Sequence, residues 1–548
     1  MTQEMFRTMF YCFVLSVWYV PCLWAQPVQT EKWVGTNYTP AYACNQVQFW
    51  HDFRDDVVEK ELAAAKKYFA LNTLRVYLHP INFEQDKKNL FKNLETFLRI
   101  CDSHGIKPGF TFFDDCHRHE GIYLDRPTEP VKGYHNGRWA ASPQDRDRDI
   151  NNLERYKPYI QEVIQKYKND NRVLWWETFN EPNKSAWTIA MRKASYQFAK
   201  AVNPQQPVIC CWDDSPETDI VNAHNYQNHV YDSSRGGWKY GIAGFSSWDV
   251  QTELNPSKGC VFTEAGARWF APKPSNGEPV EVIRWLEVRK RNDQYVPGVY
   301  LCWELMVGNS NCRWYWGTKE GSPEPTFPWC GLLWSDGTPV SLAEAEAVRH
   351  YVTGETRALF FDDFQTVTPV PPKRDLWTFY GQPTAANVCQ LQSDAKMVAG
   401  ETGWTDYLLE SVVMLNNLEN ASGNAGLIFR VNVPKDGVDD FTGYYAGFDE
   451  KTLYLGKFLN GQWHQLATYP LQKLDCKIVP NVWNQIRVEV QGAQIKIWFN
   501  RMHESADKEN GLRIVYTDDS PIAAGAIGLR TFKRNANFDN VIVLPLPK

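Results

Sequence analysis

The sequence lacks an excess of charge of either sign and, beyond its first 25 residues, a long apolar segment. Its 58 Lys and Arg residues stand against 64 Asp and Glu residues, which gives a formal net charge of only −6. Because nucleic-acid binding depends on a basic surface, this balance argues against a nucleic-acid partner. No later stretch reaches the roughly 20 apolar residues that a membrane-spanning helix needs, so we expect no membrane span.

Cysteines are too few and too scattered to form a disulfide framework. Of the 13, Cys12 and Cys22 precede residue 25, which leaves eleven, an odd number, for the rest of a long chain. Small disulfide-stapled domains carry a far denser pattern. Cysteines inside apolar runs are expected to be buried thiols. One or two bridges among Cys302, Cys312 and Cys330 remain an alternative.

Aromatic side chains, by contrast, are abundant. They make up 14% of the sequence, with 23 Trp and 26 Tyr. A flat ring can cover the C–H face of a sugar while its polar atom bonds a hydroxyl, although about two thirds of these rings are expected to fill the core. A chain of 548 residues with 43% hydrophobic content exceeds what one core usually holds, so we expect two domains in a monomer.

The first 25 residues have the pattern of a signal peptide. Arg7 precedes an apolar run over residues 9–20, and Ala25 offers a cleavage position. We therefore expect an exported protein, periplasmic or secreted. A lipid-modified Cys22, which would make a surface lipoprotein, is the less favoured alternative, because residues 19–21 do not match the small-residue pattern that such sites need.

From residue 30 to 355 the sequence alternates strand-like and helix-like segments. Apolar periodicity predicts helices over residues 55–69, 90–101 and 153–167. Strands are predicted at 33–38, 73–78, 107–113, 175–180, 207–212, 220–224, 260–263 and 298–303. Eight parallel strands with intervening helices predict the α/β class and a (β/α)8 TIM barrel, in which the loops after the strands build the active site.

From residue 357 to 548 the pattern changes to short alternating strands separated by Gly, Asn and Asp. Examples are residues 426–431, 444–448, 452–456, 485–490, 494–498 and 526–531. This pattern predicts an all-β jelly-roll sandwich as the second domain.

Two carboxylates stand at the ends of two predicted barrel strands. Glu181 follows the aromatic strand 175–180, and Glu264 ends the strand at 260–263. Hydrolysis of a glycosidic bond needs two such groups, one to protonate the leaving oxygen and one to attack the anomeric carbon. The apolar surroundings should raise the pKa of Glu181, whereas Glu264 should stay ionised. A carboxyl separation of about 5 to 5.5 Å would predict retained stereochemistry.

Other readings of these carboxylates are open. Glu181 could instead be a salt-bridged residue at a strand end. Glu304, Asp213 and Asp214 compete with Glu264 for the role of nucleophile. The position of Glu264 at the seventh of the eight strands favours it.

The segment Asn180-Glu181-Pro182, together with the later Glu264, resembles glycoside hydrolase clan A, which includes family 5. The resemblance covers residues 33–350 and implies that the first glutamate is the acid/base and the second the nucleophile. Around the second glutamate, Glu264-Ala265-Gly266 departs from the pattern of the family.

The same resemblance implies supporting roles for further residues. Arg75 would hold the nucleophile ionised, and Asn180 would bond the sugar 2-hydroxyl. His224 and Tyr226 form a His-x-Tyr strand exit that would position both carboxylates, and Trp303 would be a platform under the sugar. The alternatives are a pairing of Arg75 with another acid, a core histidine at 224 and simple packing of the tryptophan.

Residues 114–120 combine Asp, Cys, His and Glu directly after the third strand. Cys and two His within four residues do not make a tetrahedral metal site without distant partners, so we expect no metal and no cofactor. Polar sugar contacts from Asp114, Asp115 or His117 are the preferred interpretation. The other loop residues expected near the saccharide are Trp50, His51 and Trp139.

The second domain resembles the concanavalin-type sandwiches, which include laminin G-like modules and the 3-keto-disaccharide hydrolase type. The matching segments are residues 361–364, 483–488 and 528–530. The resemblance implies carbohydrate contact through Trp377, Trp404, Tyr444 or Trp463. A domain that only supports the barrel is the alternative.

The leading prediction is therefore an exported, retaining glycoside hydrolase that cleaves β-linked poly- or oligosaccharides by double displacement. The alternative is a non-catalytic carbohydrate-binding protein on a degenerate barrel. Because both carboxylates are present, we favour the enzyme. A metal-dependent hydrolase ranks third and would be recognised by loss of activity in chelator.

Overall fold

The computed structural model describes residues 32–546 except for 117–120, 127, 212–216, 226–230, 233–236, 239–259, 266–267, 269–297, 316, 365–376, 381–382, 387 and 417–422. The predicted signal peptide and Tyr226 lie outside the described residues, as do His117, Asp213 and Asp214. Among the described helices, none has the length and apolar character required to cross a membrane.

Eight parallel strands close into a barrel in the first domain, as predicted. In chain order the strands are β1 (Trp33–Asn37), β2 (Thr73–Tyr77), β3 (Lys107–Asp114), β4 (Trp176–Asn180), β5 (Val208–Cys211), β6 (Val221–Asn225), the hairpin strands β7 (Tyr231–Asp232) and β8 (Gly237–Trp238), β9 (Cys260–Ala265) and β10 (Gly298–Leu301). The hairpin lies outside the barrel, and β10 pairs with β1 to close it. The carboxyl ends of all eight barrel strands therefore meet at one face.

Helices pack around this barrel. Those described are α1 (Gln46–His51), α2 (Asp55–Phe69), α3 (Pro80–Ser103), α4 (Lys157–Tyr167), α5 (Ala186–Ala201) and α6 (Leu342–Thr353). Helix α2 has the predicted bounds. Helix α3 begins at Pro80 rather than at residue 90 and is kinked at Asp86, whose side chain accepts the Asn89 N–H and starts the second half anew.

The predicted helix 153–167 is two elements. Residues 153–156 form a 3-10 turn, and α4 starts at Lys157 with Pro158 in its first turn. Proline fits there because the first N–H groups of a helix have no partner within the helix.

The second domain is a sandwich of two antiparallel sheets, as predicted. After the small pair β11 (Met306–Val307) and β12 (Leu333–Trp334), its strands are β13 (Phe360–Asp362), β14 (Thr378–Tyr380), β15 (Pro383–Ala386), β16 (Val388–Leu391), β17 (Lys396–Ala399), β18 (Tyr407–Leu415), β19 (Asn424–Asn432), β20 (Thr442–Phe448), β21 (Thr452–Leu459), β22 (Gln462–Pro470), β23 (Trp483–Gln491), β24 (Gln494–Phe499), β25 (Leu512–Thr517), β26 (Ala526–Phe532) and β27 (Ala536–Pro545). One sheet has the order β15-β16-β27-β18-β23-β24-β25 with β13 paired to β27, and the other β14-β17-β26-β19-β20-β21-β22. A large apolar core lies between the sheets.

Most of the aromatic residues expected to contact sugar in the sandwich are packing residues. Tyr444 is in the core and donates to Asp518, and Trp377 is buried and donates to Asp362. Trp404 packs over Gly400. Trp463, on β22, is 40% exposed, and of the four it is the one with a largely accessible ring.

The two domains share a buried interface. Val307, Phe327, Trp334 and Val340 of the barrel domain form one apolar cluster with Val412 and Trp483 of the sandwich. Glu410 on β18 accepts the backbone N–H of Leu342 at 2.7 Å and is paired with Arg487. The start of α6 is thus bonded to the sandwich.

The cysteines proposed as bridge partners are separate thiols. Cys302, Cys312 and Cys330 are all buried and unbridged, as are the other seven cysteines whose side chains the structure describes, except that Cys116 is only partly buried. The bridge alternative is therefore replaced by the buried-thiol interpretation.

Candidate active site

Arg75 is the centre of a polar network inside the barrel mouth. It projects from β2 and is fully buried. Its Nε and Nη2 donate to the two carboxylate oxygens of Glu177 at 2.7 and 2.8 Å, and its Nη1 donates to Oε1 of Glu264 at 2.6 Å. Burial alone would lower the pKa of this guanidinium. Glu177, Glu264 and Tyr77 raise it by more than burial lowers it, so the pKa stays well above its usual value. A fixed cation therefore links β2, β4 and β9.

Glu264 ends strand β9 and is almost fully buried. Besides Arg75, the phenol of Tyr77 donates to its Oε1 at 3.2 Å. The other oxygen, Oε2, lies 3.4 Å from Nδ1 of His224. These donors hold the carboxylate in one orientation at the centre of the barrel mouth.

Glu181 follows the last residue of β4 and remains partly open to solvent, with 18% of its side chain exposed. Its backbone has a φ of 42°, in the left-handed region that non-glycine residues rarely adopt, and Pro182 follows. Nδ1 of His224 lies 2.8 Å from Oε1 of Glu181, and the Cys116 thiol contacts Oε2. The strained turn directs this side chain toward the barrel axis.

The two glutamates face each other across a short gap. One carboxylate oxygen of Glu181, one of Glu264 and a ring nitrogen of His224 all lie within 4.8 Å of one another. Inverting hydrolysis needs a separation of roughly 6.5 to 9.5 Å to admit a water, whereas direct attack by a carboxylate needs about 5 to 5.5 Å. The distance between the oxygens of Glu181 and Glu264 fits the spacing for direct attack by a carboxylate.

Burial shifts the pKa values of Glu181 and His224 in opposite directions. Burial raises the pKa of Glu181 above its usual value, against the lowering effect of the Cys116 bond and of Arg75. It lowers the pKa of His224 to about 4, so the imidazole is neutral at neutral pH. A neutral ring with its proton on Nδ1 can donate to Glu181, and its Nε2 can accept from Cys211, 3.2 Å away.

Residues 32–244 match the family model described as cellulase, glycosyl hydrolase family 5. The matched segment contains Arg75, Glu181 and His224. Over its first six strands the barrel is therefore similar to the family 5 glycoside hydrolases. A second family model, the 3-keto-alpha-glucoside-1,2-lyase-like domain, matches residues 377–544, which form most of the sandwich.

Solved structures with similar folds are distant in sequence. The endo-beta-1,4-mannanase from Thermotoga petrophila is 14% identical, with 83% of this chain and 99% of that chain covered and a TM-score of 0.37. Exo-beta-1,4-mannosidase Op5Man5 from Opitutaceae bacterium strain TAV5 is 14% identical, with 59% of each chain covered and a TM-score of 0.39. The carbohydrate binding module CBM66 from Bacillus subtilis is 24% identical, with 31% and 94% covered and a TM-score of 0.25. No curated protein matches the chain.

Hydrogen bonds through Asn180 and Asp114 connect the carboxylate site to strand β3. Asn180 accepts from Nη2 of Arg75 at 2.6 Å and donates to Asp114 at 2.8 Å. Asp114 also accepts from the indole of Trp139 at 2.6 Å, and burial raises its pKa to about 7. Asp114 is fully buried, so it holds Asn180 and Trp139 in place rather than lining an open surface.

Three aromatic rings pack together beside Glu264. Trp303 lies 5.6 Å from the ring of Tyr77 and 5.3 Å from that of Trp139, and its indole donates to Asn136. This cluster brings Trp303 close to the nucleophile candidate, where the family resemblance implies a sugar platform. Only 5% of Trp303 is exposed, which leaves little of the ring open to a ligand.

Three of the predicted site residues lie away from the carboxylates. Trp50 has no exposed surface: its indole bonds the Tyr77 carbonyl and its ring packs against Phe97, which makes it a core residue. His51 ends α1 at the surface beside Asp52. Asp115 is buried in an ion pair with Arg148. The sequence pattern predicted that these residues lie in loops after strands, but it does not determine the direction of their side chains.

Glu304, the main competitor of Glu264, does not join the site. It is 99% buried, accepts from Ser310 and lies near Glu61 of α2 rather than Glu181. Burial raises its pKa to about 7, which does not suit a carboxylate that must be ionised to attack. Asp213 and Asp214 lie outside the described residues.

Among the described residues, one cluster has the spacing of a metal site, namely Glu181, His224 and Glu264. Arg75 already donates to Glu264, so a cation bound there would meet a guanidinium at short range. Residues 114–116 supply no ligand to this cluster.

Sequence reasoning missed Glu177, Tyr77, Asn222 and Cys116. Glu177 accepts from Arg75, from Thr111 at 2.6 Å and from Asn222 at 2.6 Å. An acid in the middle of an apolar strand was a usable signal for Glu177, because such a residue must have a buried partner. Tyr77 stands two residues after Arg75 and so shares its strand face. Cys116 carried no signal, since its contact depends on the fold of the loop.

Proposed function

We propose that the protein is an exported, retaining β-glycosidase that hydrolyses a poly- or oligosaccharide by double displacement. Glu181 is the acid/base and Glu264 the nucleophile. The observation that carries the proposal is the separation of the two carboxylates, within 4.8 Å at their facing oxygens. At that distance a sugar ring fits with its anomeric carbon against one carboxylate and its leaving oxygen against the other, without room for a water between.

In the first step an oxygen of Glu264 attacks the anomeric carbon while the bond to the leaving oxygen breaks. Glu181 gives its proton to that oxygen. Burial raises the pKa of Glu181, which keeps it protonated at a pH where an exposed carboxyl would be ionised. The product of this step is an ester between the sugar and Glu264.

In the second step Glu181, now ionised, removes a proton from a water that attacks the same carbon. The ester bond breaks and Glu264 leaves as a carboxylate. Arg75 and Tyr77 support this departure, because both donate to Oε1 of Glu264 and stabilise its negative charge. Two inversions give net retention.

A variant series tests both assignments. Glu181→Ala and Glu264→Ala should each lose at least about a thousandfold in kcat on an aryl β-glycoside, and azide should restore turnover in both. Azide in place of Glu264 attacks directly and gives an α-glycosyl azide, whereas azide in Glu181→Ala intercepts the glycosyl-enzyme and gives the β-azide. Glu304→Gln is the matched control with a buried carboxyl and should retain activity.

Two results would contradict this proposal. If Glu304→Gln loses activity and Glu304→Ala with azide gives the α-azide, the nucleophile is misassigned. If the purified protein binds polysaccharide but turns over no member of a glycan panel, the binding-protein alternative holds. Export is tested separately by cell fractionation and by the N-terminus of the mature chain, which should lie near Gln26.

A further inference from the structure

Cys116 lies two residues beyond β3 and contacts Glu181. Its backbone N–H donates to Oδ1 of Asp114 at 2.8 Å, which fixes the loop, and its Sγ contacts Oε2 of Glu181. The other oxygen, Oε1, lies 2.8 Å from Nδ1 of His224. Both oxygens of this carboxyl therefore have a neighbour able to donate, and the two neighbours come from strands on either side of β4.

Both neighbours are in the protonated form that such bonds need. Burial raises the pKa of the Cys116 thiol well above its usual value, and the nearby Glu181 and Asp114 raise it further, so that the sulfur keeps its proton at neutral pH. His224 is neutral with a pKa of about 4, and in the tautomer with its ring proton on Nδ1 it donates to Glu181, while Nε2 lies 3.2 Å from the Cys211 thiol and 3.0 Å from the Thr263 hydroxyl. A chain of contacts runs from Cys211 through His224 and Glu181 to Cys116.

We propose that Cys116 is a positioning residue, whose S–H bond holds the Glu181 carboxyl in the orientation that exchanges a proton with the leaving oxygen. This inference rests on the proposed acid/base role of Glu181. The carboxyl stands on a strained turn and is partly open to solvent, and among the described residues His224 is the other side chain that bonds it. An unrestrained carboxyl can turn toward water and away from the substrate.

The thiol also acts on the proton affinity of the acid. A donor to a carboxylate favours the ionised form, and the Cys116 bond lowers the pKa of Glu181 against the larger effect of burial. Removing the donor should therefore raise the pH at which activity falls on the alkaline side. A residue that served only for packing would not move that limb.

The test is a leaving-group series on the full-length chain. Wild type, Cys116→Ala, Cys116→Ser and Glu181→Ala are assayed with aryl β-glycosides that range from dinitrophenyl to phenyl. The dinitrophenyl group leaves without a proton, whereas the phenyl group needs one. Cys389→Ala, which removes a buried thiol in the sandwich, is the matched control and should behave as wild type.

We expect Cys116→Ala to lose about ten- to a hundredfold in kcat/KM on the phenyl glycoside and less than about threefold on the dinitrophenyl glycoside. Cys116→Ser keeps a donor of similar size and should recover most of the loss. The alkaline limb of kcat/KM should move to higher pH in Cys116→Ala. Thermal unfolding confirms that each variant is folded, and the serine variant remains informative if the alanine variant is not.

An equal loss on all substrates, or a wild-type profile in Cys116→Ala, would overturn the inference. Glu181→Ala separates this failure from failure of the proposed function. If Glu181→Ala shows the steep leaving-group dependence and Cys116→Ala does not, Glu181 is the acid and only the positioning role is wrong. If neither shows it, the acid/base assignment itself is wrong.

Discussion

At the residue scale, Arg75 shows why the second strand needs an arginine. One guanidinium forms a bidentate pair with Glu177 and at the same time donates to Glu264 and to Asn180. A lysine ammonium has neither the fork geometry nor the number of fixed donors to serve all three. The positive charge is thus shared between a structural acid and the acid proposed to attack.

Glu304 provides a prediction about pH. Its folded pKa is about 7, above the unfolded value of about 4.3, because burial penalises the charged form. The folded state therefore keeps a proton that the unfolded state releases, and stability falls as pH rises from about 4.3 to about 7, by up to roughly 4 kcal/mol. Asp114 and Glu61 also have raised pKa values, so Glu304→Gln should make the fall between pH 5 and pH 8 smaller than in wild type, which urea unfolding at the two pH values measures.

The activity of Glu304→Gln should stay near that of wild type, since this residue lies outside the carboxylate pair. An unchanged pH dependence of stability would show that Glu304 is not the titrating group.

Some residues of the site could be predicted from the sequence and others could not. Glu181 and Glu264 were predictable because each ends a strand whose neighbours are apolar, and parallel strands bring their ends to one face. Cys116 and the direction of Trp50 were not predictable, because both depend on how a loop folds back over the barrel. Asp115 was placed in the right loop, but its partner Arg148 is 33 positions away and no local pattern links them.

At the element scale, the turn from β4 to α5 is held by Asp115. Its Oδ2 accepts the Asn183 N–H at 2.9 Å and the Thr188 hydroxyl at 2.8 Å, and its Oδ1 pairs with Arg148 at 2.5 Å. These bonds fix the start of α5 just beyond Glu181. The left-handed backbone of Glu181 is stable only because its surroundings hold it.

Asp115→Ala should therefore affect both stability and catalysis. Loss of Asp115 leaves Arg148 with the more exposed Asp145 and the Pro143 carbonyl, and leaves the Asn183 N–H and the Thr188 hydroxyl without this acceptor, so it should cost about 3 kcal/mol in the free energy of unfolding. It should also lower kcat, because Glu181 loses its rigid support. Urea unfolding and kinetics on an aryl glycoside measure the two effects.

Lys87→Ala is the control for this change. Lys87 makes an exposed pair with Glu162, so its removal should cost less than about 1 kcal/mol. If Asp115→Ala were as mild as Lys87→Ala, the turn would be held by other contacts.

Elements themselves were predicted more reliably than their ends. Helix α2 has an uninterrupted apolar face and was placed at its observed bounds, whereas in α3 the polar run of residues 84–89 separates the buried first turn from the apolar face that begins at Leu90. The kink at Asp86 divides that helix, so its periodicity does not continue across the whole element.

At the scale of the whole molecule, barrel and sandwich form a common interface rather than two independent bodies. Glu410 is 98% buried and connects the N-terminus of α6 to Arg487 of β23. An apolar cluster from both domains surrounds this connection. Removal of the carboxylate would leave a buried guanidinium and a backbone N–H without their acceptor.

We expect Glu410→Ala to uncouple the domains. Wild type should unfold in one calorimetric transition, and the variant should show a midpoint several degrees lower or two separate transitions. Glu489→Ala, which removes a partner of Lys496 on the same sheet, is the control and should unfold like wild type. Two transitions already present in the wild type would contradict the coupling.

The most direct test of the central claim is identification of the residue that bonds to the sugar. The enzyme is incubated with a 2-deoxy-2-fluoro-β-glycosyl fluoride of a sugar that it cleaves, digested with protease and analysed by mass spectrometry. We expect one label, on Glu264, and a first-formed product with retained configuration. A label on Glu304, or an inverted product without any label, would contradict it.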